Sequence, residues 1–149
     1  MLRTSKFNKA VDDVSFHIMP GETLGLVGES GCGKSTLLHI IAGLDSADSG
    51  SVLVEGNSLD SEKRRLAALR HTIGFIFQLH NLIPDLTMEE NCLIPSIAAG
   101  VNHAEAMDRF HCLAKKTGLE HRTRNRIQDL SGGERQRTAI CRALMNSPS

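Results

Sequence analysis

Gly28–Thr36 reads GESGCGKST, which satisfies G-x-x-x-x-G-K-[ST], a pattern built to hold phosphate. Gly28 and Gly33 let the backbone turn tightly enough for successive amides to surround an anion, with Glu29, Ser30, Gly31 and Cys32 as the loop between them. Lys34 brings a point charge to the terminal phosphates. Ser35 completes the pattern, with Thr36 next in the loop, and the Ser35 hydroxyl can join a Mg²⁺ shell that is otherwise mostly water and phosphate oxygen. A glycine turn that merely opens a helix uses the same residue types. At ordinary residue frequencies, however, the pattern arises by accident in well under about 1 in 100 chains of this length.

A second cluster, Leu130–Arg137, reads LSGGERQR. Alone it is compatible with a flexible helix start at Ser131, Gly132 and Gly133, Glu134 as a favourable acid in the first turn, and Arg135 and Arg137 on a solvated face. In this order and spacing the two motifs resemble the nucleotide-binding domain of an ABC ATPase, and the resemblance covers nearly the whole chain. It implies an α/β fold, a P-loop NTPase of ABC type with a small helical subdomain, and ATP with Mg²⁺ as ligands. It also implies a head-to-tail pair, either a homodimer or two paired ABC domains, with each ATP between the phosphate loop of one and the signature motif of the other. Ser131 and the amides of Gly132 and Gly133, at a helix N-terminus, then offer donors and a positive dipole end to the partner's terminal phosphate. Glu134 belongs to the same signature.

The chain has 149 residues, enough for one core, and its 17 Lys and Arg balance 17 Asp and Glu. Zero net charge provides no global reason to expect nucleic acid or an anionic surface as a direct partner. Lys115, Lys116, Arg122, Arg124, Arg126, Arg135 and Arg137 nevertheless crowd one stretch, either as a solvated face or as part of a partner or phosphate surface. No apolar run is long enough to span a bilayer and the N-terminus lacks the core of a signal peptide, so no direct membrane insertion is expected. A membrane link must come through another subunit. Cys32, Cys92, Cys112 and Cys141 show neither CxxC nor Cys/His ligand spacing, which favours cytosolic thiols over a metal site or disulfides. Cys32 is either a thiol activated by the amide-lined loop or a small tolerated loop residue. His39 and His111 read as surface or packing residues.

The order of elements is that of an α/β domain. Val14, Phe16 and Ile18 alternate as on a strand, Pro20–Gly21 makes a turn, and Thr23–Val27 is a short apolar strand feeding the phosphate loop. Leu37, Leu38, Ile40 and Ile41 give the next helix an apolar face, with Gly43 near its end. Val52–Val54 reads as a strand, Ser61 as the cap of a basic helix through Arg70, and Ile73–Phe77 as a buried strand ending at Gln78. Thr87 and Glu90 are spaced as a capping box before a helix near Met88. Asn102, Glu105 and Gly118 bracket another from about His103 to Lys116. Leu93, Ile94, Ile97, Phe110 and Leu113 are assigned to packing.

By itself Gln78 reads as a strand-end hydrogen-bonding cap. Between the two motifs it resembles the family's Q-loop glutamine, which implies contact with Mg²⁺ or the attacking water and sensing of a membrane partner. GFIFQLHNLIPDLTMEEN is similar to the ATPase subunits of lipoprotein-releasing and macrolide-exporting transporters and of the related cell-division complex, where such a stretch faces a membrane subunit. The resemblance implies an ATP-binding subunit that couples hydrolysis to transport through a permease, cytoplasmic and peripheral to the inner membrane. It divides the chain into a nucleotide-binding core, 1–86 and 127–149, and a helical subdomain, about 87–126. A non-transport ABC ATPase of DNA repair or translation, and a non-catalytic nucleotide-binding remnant, are the other readings.

After the signature helix the family continues into an apolar strand ending in Asp, a catalytic Glu and a switch His. ICRALMNSPS carries none of these, so the expectation is a domain incomplete at its C-terminus, without turnover of its own and with apolar sheet edges exposed. Phe7 is the one candidate for the family's adenine-stacking aromatic, with a packing role as the alternative. Ile127 and Cys141 depart mildly from the family's usual proline and alanine.

Overall fold

The structure, a computed structural model, describes residues 10–149, so Phe7 lies outside the described residues. Its helices are α1 (Lys34–Ile41), α2 (Glu62–His71), α3 (Met88–Ala99), α4 (His103–Lys116) and α5 (Gly132–Leu144), with single 3₁₀ turns at Glu120–Arg122 and Ile127–Asp129. One antiparallel hairpin pairs β1 (Leu53–Val54) with β2 (Asn57–Ser58). Its two-residue turn needs positive φ at both central positions, which Glu55 (50°) and Gly56 (75°) adopt.

Helix boundaries fall where side chains satisfy the end groups that a helix leaves unpaired. Thr87 and Glu90 form the expected capping box: the Glu90 amide donates to Thr87 Oγ1 (3.2 Å) and the Thr87 amide to Glu90 Oε2 (2.7 Å). Asn102 Oδ1 accepts from the Ala104 amide at 2.9 Å to open α4. Gly118, at φ 67°, closes it by turning the chain so that the Gly118 and Leu119 amides reach back to the Lys115 and Ala114 carbonyls. The Pro20–Gly21 turn is present, closed by Glu22 N–H on the Met19 carbonyl at 3.0 Å. Ser61 occupies the N-cap position of α2, but its hydroxyl makes no cap bond.

The main core lies among α3, α4 and α5. Ala106, Phe110, Leu113 and Ala114 recur at helical spacing on one face of α4 and meet Met88, Cys92 and Leu93 of α3 and Cys141 of α5, with Leu119, Ile127, Leu130 and Met145 closing the edges. Phe110, Leu113 and Leu93 therefore pack as expected. Ile97 does not: it is 70% exposed on the outer face of α3. The C-terminal end of α5 is tied to three other helices. Arg109 of α4 donates to the Leu144 carbonyl from Nε (3.1 Å) and Nη2 (2.9 Å), a cation placed at the negative end of the helix dipole. Asn146 donates to the carbonyls of Arg70 (2.7 Å) in α2 and Pro95 (3.0 Å) in α3, and accepts from Ser96 Oγ (3.0 Å).

The expected strands at Val14–Ile18, Thr23–Val27 and Ile73–Phe77 do not join a sheet among the described residues; of the four expected strands only Val52–Val54 acquires a partner, through Leu53–Val54. A strand has no local hydrogen bonds of its own, so apolar alternation without a neighbouring ladder leaves an extended chain. Val14, Phe16, Ile18, Leu24 and Val27 consequently stand exposed. Ile73–Phe77 keeps the alternation of a strand, with Phe75 and Phe77 stacked edge-on (centroids 4.7 Å) and Phe75 against His39 of α1 (5.7 Å). Gly74 lets this segment touch α5, since a Cβ there would come within 2.5 Å of the Ala143 carbonyl oxygen.

Asn91 is fully buried in α3 and wholly satisfied: its Oδ1 accepts from the Ile83 amide (2.8 Å), while Nδ2 donates to the carbonyls of Ile83 (3.1 Å) and Thr87 (3.0 Å). Asn91→Leu should leave the Ile83 amide without an acceptor, while the Ile83 and Thr87 carbonyls keep the Leu86 and residue-91 amides, and cost about 1–3 kcal/mol in chemical denaturation. A loss below about 0.5 kcal/mol, the scale of an ordinary surface change, would show that the Ile83 segment does not depend on it.

Candidate nucleotide site and signature helix

The phosphate loop leads directly into α1. Gly33 is the N-cap at φ 88°, and a Cβ on it would overlap the carbonyl oxygen of Ala10. Both the left-handed conformation and the close approach demand glycine. At Gly28 a Cβ would lie 2.7 Å from Cys32 Sγ, which makes Cys32 a packing neighbour inside the loop. With no side chain at the N-cap, α1 opens without a side-chain cap bond. The amides of Lys34, Ser35 and Thr36 have no carbonyl acceptor among the described residues, so the first turn presents donors and the positive end of the dipole together.

Lys34 folds back over this turn. Its ammonium donates to the carbonyls of Gly28 (2.8 Å) and Glu29 (2.6 Å) and lies 3.5 Å from Cys32 Sγ. The cation thus sits over the loop, where an anion cradled by the amides would meet it. Ser30 and Gly31 form the exposed rim. Ser35 is exposed, its hydroxyl unbonded among the described residues, and that oxygen is a donor of the kind Mg²⁺ takes. Gln78 is exposed in the turn that follows Ile73–Phe77, and no hydrogen bond joins it to residues 28–36. The segment carrying it is anchored to α1 through the Phe75–His39 contact.

Ser131 is the N-cap of α5 and forms a second capping box with Glu134: the Glu134 amide donates to Ser131 Oγ (3.3 Å) and the Ser131 amide to Glu134 Oε2 (2.8 Å). The Ser131 hydroxyl is thereby engaged within its own cap, accepting from the Glu134 amide and meeting the Glu134 carboxylate. The Gly132 and Gly133 amides, next in the turn, have no acceptor among the described residues. Nothing lies within 4 Å of a Cβ placed on Gly132, and only Arg137 Nη1, at 3.6 Å, near one on Gly133. Packing inside the chain does not require these glycines. Among the described residues no hydrogen bond or ion pair links this end of α5 to the phosphate loop.

Glu134 also pairs with Arg122, Oε1 to Nε at 2.8 Å, with the Glu134 side chain only 13% exposed. The Ser131 amide, then the Ser131 hydroxyl, then Arg122 hold its carboxyl at about 2, well below the ordinary 4.5. Arg122 was legible only as one of a basic stretch. Asn91 and Arg142 are further residues that the sequence does not single out, because their partners lie far along the chain. An Asn among the apolar positions of α3 is the single clue.

The sequence profile of the ABC transporter family matches residues 11–149. The chain belongs to this family. It is 47% identical over 137 residues to the lipoprotein-releasing system ATP-binding protein LolD of Roseobacter denitrificans, covering 91% of this chain and 60% of that protein. The same protein of Saccharophagus degradans is 44% identical over 139 residues, with the same coverage. Among solved structures, a dimeric bacterial ABC transporter cassette superposes with TM-score 0.85 at 36% identity, covering 93% of this chain and 62% of that one. A dimeric post-hydrolysis cassette bound to ADP and phosphate superposes with TM-score 0.83 at 37% identity and the same coverage. The fold is that of an ABC-type P-loop NTPase cassette, and the chain spans about 60% of the length of these curated relatives. Among the described residues no helix is long and apolar enough to cross a membrane.

Because the Glu134 carboxyl is held below its ordinary value, its contribution to stability is full above about pH 4.5 and is lost as pH falls toward about 2. Glu134→Gln should therefore destabilise the protein at pH 7, and its deficit relative to the parent should shrink across that acid window. A deficit that is the same at pH 3 and pH 7 would contradict the capping-box and Arg122 origin of the shift.

Proposed function

We propose that this sequence is the ATP-binding part of an ABC transporter that couples ATP binding and hydrolysis to transport through a membrane permease, with lipoprotein release as the transport concerned. The observation that carries the reading is the pair of helix N-termini at α1 and α5, each with backbone amides left free and each preceded by its motif. Lys34 and the amides of the first turn of α1 bind the phosphates of one ATP. Ser131, Gly132 and Gly133 face outward and contact the terminal phosphate of an ATP held by a partner cassette, which makes a head-to-tail pair. The dimeric cassettes among the structural relatives support that pairing, and the LolD relatives support the lipoprotein-release branch.

Mg²⁺, when bound, supplies neutralisation of the phosphate charge. Ser35, and Gln78 once it approaches, are the residues to hold it. Gln78 orients water or metal, and the stretch from His80 to Asp85 meets the permease, placing the protein on the cytoplasmic side of the inner membrane. No acidic residue follows Glu134 in these 149 residues, so residues 1–149 alone should bind ATP without turning it over.

MgATP at 100 times its Kd should stabilise the folded protein by about 2.7 kcal/mol. Lys34→Ala should weaken binding at least about tenfold, removing about 1.4 kcal/mol of that effect. A thermal shift that survives Lys34→Ala unchanged would sink the nucleotide assignment. In the full-length protein, Ser131→Trp should abolish the ATP-dependent dimer seen by light scattering while leaving monomer ATP binding within about twofold, because of the two nucleotides the signature touches only the partner's. Dimerisation by the variant at the parent's ATP concentration would refute the head-to-tail site.

A further inference from the structure

The turn after Gln78 is an unusual piece of backbone. His80 (φ 62°) and Asn81 (φ 46°) are consecutive non-glycine residues in the left-handed region, and the Asn81 amide closes a three-residue turn on the Leu79 carbonyl at 2.7 Å. Side chains with a Cβ resist that conformation, and a tight turn centred on one is strained. Such a turn persists when its surroundings hold it. Here the surroundings are one side chain from the other end of the chain: Arg142 donates from Nη2 to the His80 carbonyl (2.6 Å) and from Nη1 to the Asn81 carbonyl (2.7 Å). A planar guanidinium fork matches two successive carbonyl oxygens as a lysine ammonium cannot. Arg142 is half-buried and has no carboxylate partner among the described residues.

Arg142 projects from α5, the helix whose opposite end carries Ser131 and Gly133. The C-terminal end of α5, close to Arg142, is tied down by Arg109 and Asn146. On the other side of the turn, Ile83 is pinned to α3 through Asn91. Among the described residues, the segment between Gln78 and Ile83 is hydrogen-bonded to α5 through the guanidinium of Arg142 and to α3 through Asn91, while Leu82 packs against the core. We propose that Arg142 is a positioning residue that fixes the Gln78 turn to the signature helix, so that engagement of a nucleotide at Ser131 and the placement of Gln78 are set together. The role rests on the ATPase reading above and adds a residue that neither motif contains.

The test uses the full-length protein with Arg142→Met, Arg142→Lys and Arg142→Met combined with His80→Gly. Hydrogen exchange should quicken across residues 79–82 in Arg142→Met while exchange in α4 stays at the parent's rate. Arg142→Met should lower kcat for MgATP about tenfold with KM changed less than about twofold, a loss of placement rather than of binding. Arg142→Lys, able to reach one carbonyl at a time, should fall between, and it decides the matter if the methionine variant does not fold. His80→Gly should restore part of the loss, because glycine adopts the left-handed turn unaided. In a Gln78→Ala background Arg142→Met should have almost no further effect on kcat. Unchanged exchange at 79–82, or an equal fall in kcat with and without Gln78, would overturn the proposal. Absence of Lys34-dependent turnover in the unsubstituted full-length protein would instead overturn the ATPase reading, with the exchange result still deciding whether Arg142 holds the turn.

Discussion

A helix begins with backbone amides that its own geometry cannot satisfy, and the arrangement of this protein follows from where those amides are left open. At α3 none is: the Met88 and Glu89 amides donate to the carbonyls of Asn125 and Thr123, and that of Glu90 to Thr87. At α1 a glycine cap supplies no acceptor and the whole first turn stays open; at α5 the serine cap satisfies one amide and leaves two. The start of α2 also lacks a side-chain cap, since Ser61 makes no cap bond. An open helix start is therefore no site by itself. What distinguishes α1 and α5 is what stands over the amides: a lysine returned across its own loop in one, and in the other two glycines that no internal contact requires.

The two ends of the chain are held by different physics. From Met88 onward, helices bury a continuous apolar core and close their ends with side-chain and backbone partners, so each element is supported by its neighbours. Ahead of it, the stretch before the phosphate loop and the segment Ile73–Phe77 are extended and carry apolar side chains in solvent, and the contacts Gly33 against Ala10, Phe75 against His39 and Gly74 against Ala143 help place them. The phosphate loop keeps its shape through its own glycines and Lys34 even so. Loop geometry here is a local property; sheet geometry is not.

That division explains what could be read from the sequence. The capping box at Thr87, the helix start at Ser131, the Asn102 cap, the Gly118 stop and the loop glycines are legible because each depends on residues within a few positions of one another, although the box that Ser131 forms with Glu134 appears only in the structure. The strands expected at Val14–Ile18 and Thr23–Val27 do not form a sheet, because alternation reports a preference for a pleated surface, whereas a strand exists only with its ladder partner. Ile97 stands exposed for a related reason, since an apolar residue on a helix does not reveal whether anything covers it. Asn91 and Arg142 escaped notice because their meaning lies in carbonyl groups, and backbone acceptors leave no trace in residue type.

The long-range hydrogen bonds also show how a small number of side chains can make separate motifs answer to one another. A phosphate loop and a signature turn that share no hydrogen bond can still be coupled if both are attached to elements that move as units. The core makes α3 and α5 such units, and Asn91 and Arg142 suspend the chain after Gln78 between them. Because the suspended turn is left-handed at two successive residues, it has no comfortable alternative close by, and a shift of α5 must carry it or release it. Discrete behaviour of that kind, rather than gradual deformation, is what a packed helix set and a strained turn together produce. It places the sensitivity of the Gln78 segment in the backbone carbonyls of His80 and Asn81, whose hold depends on the far end of the helix that Ser131 begins.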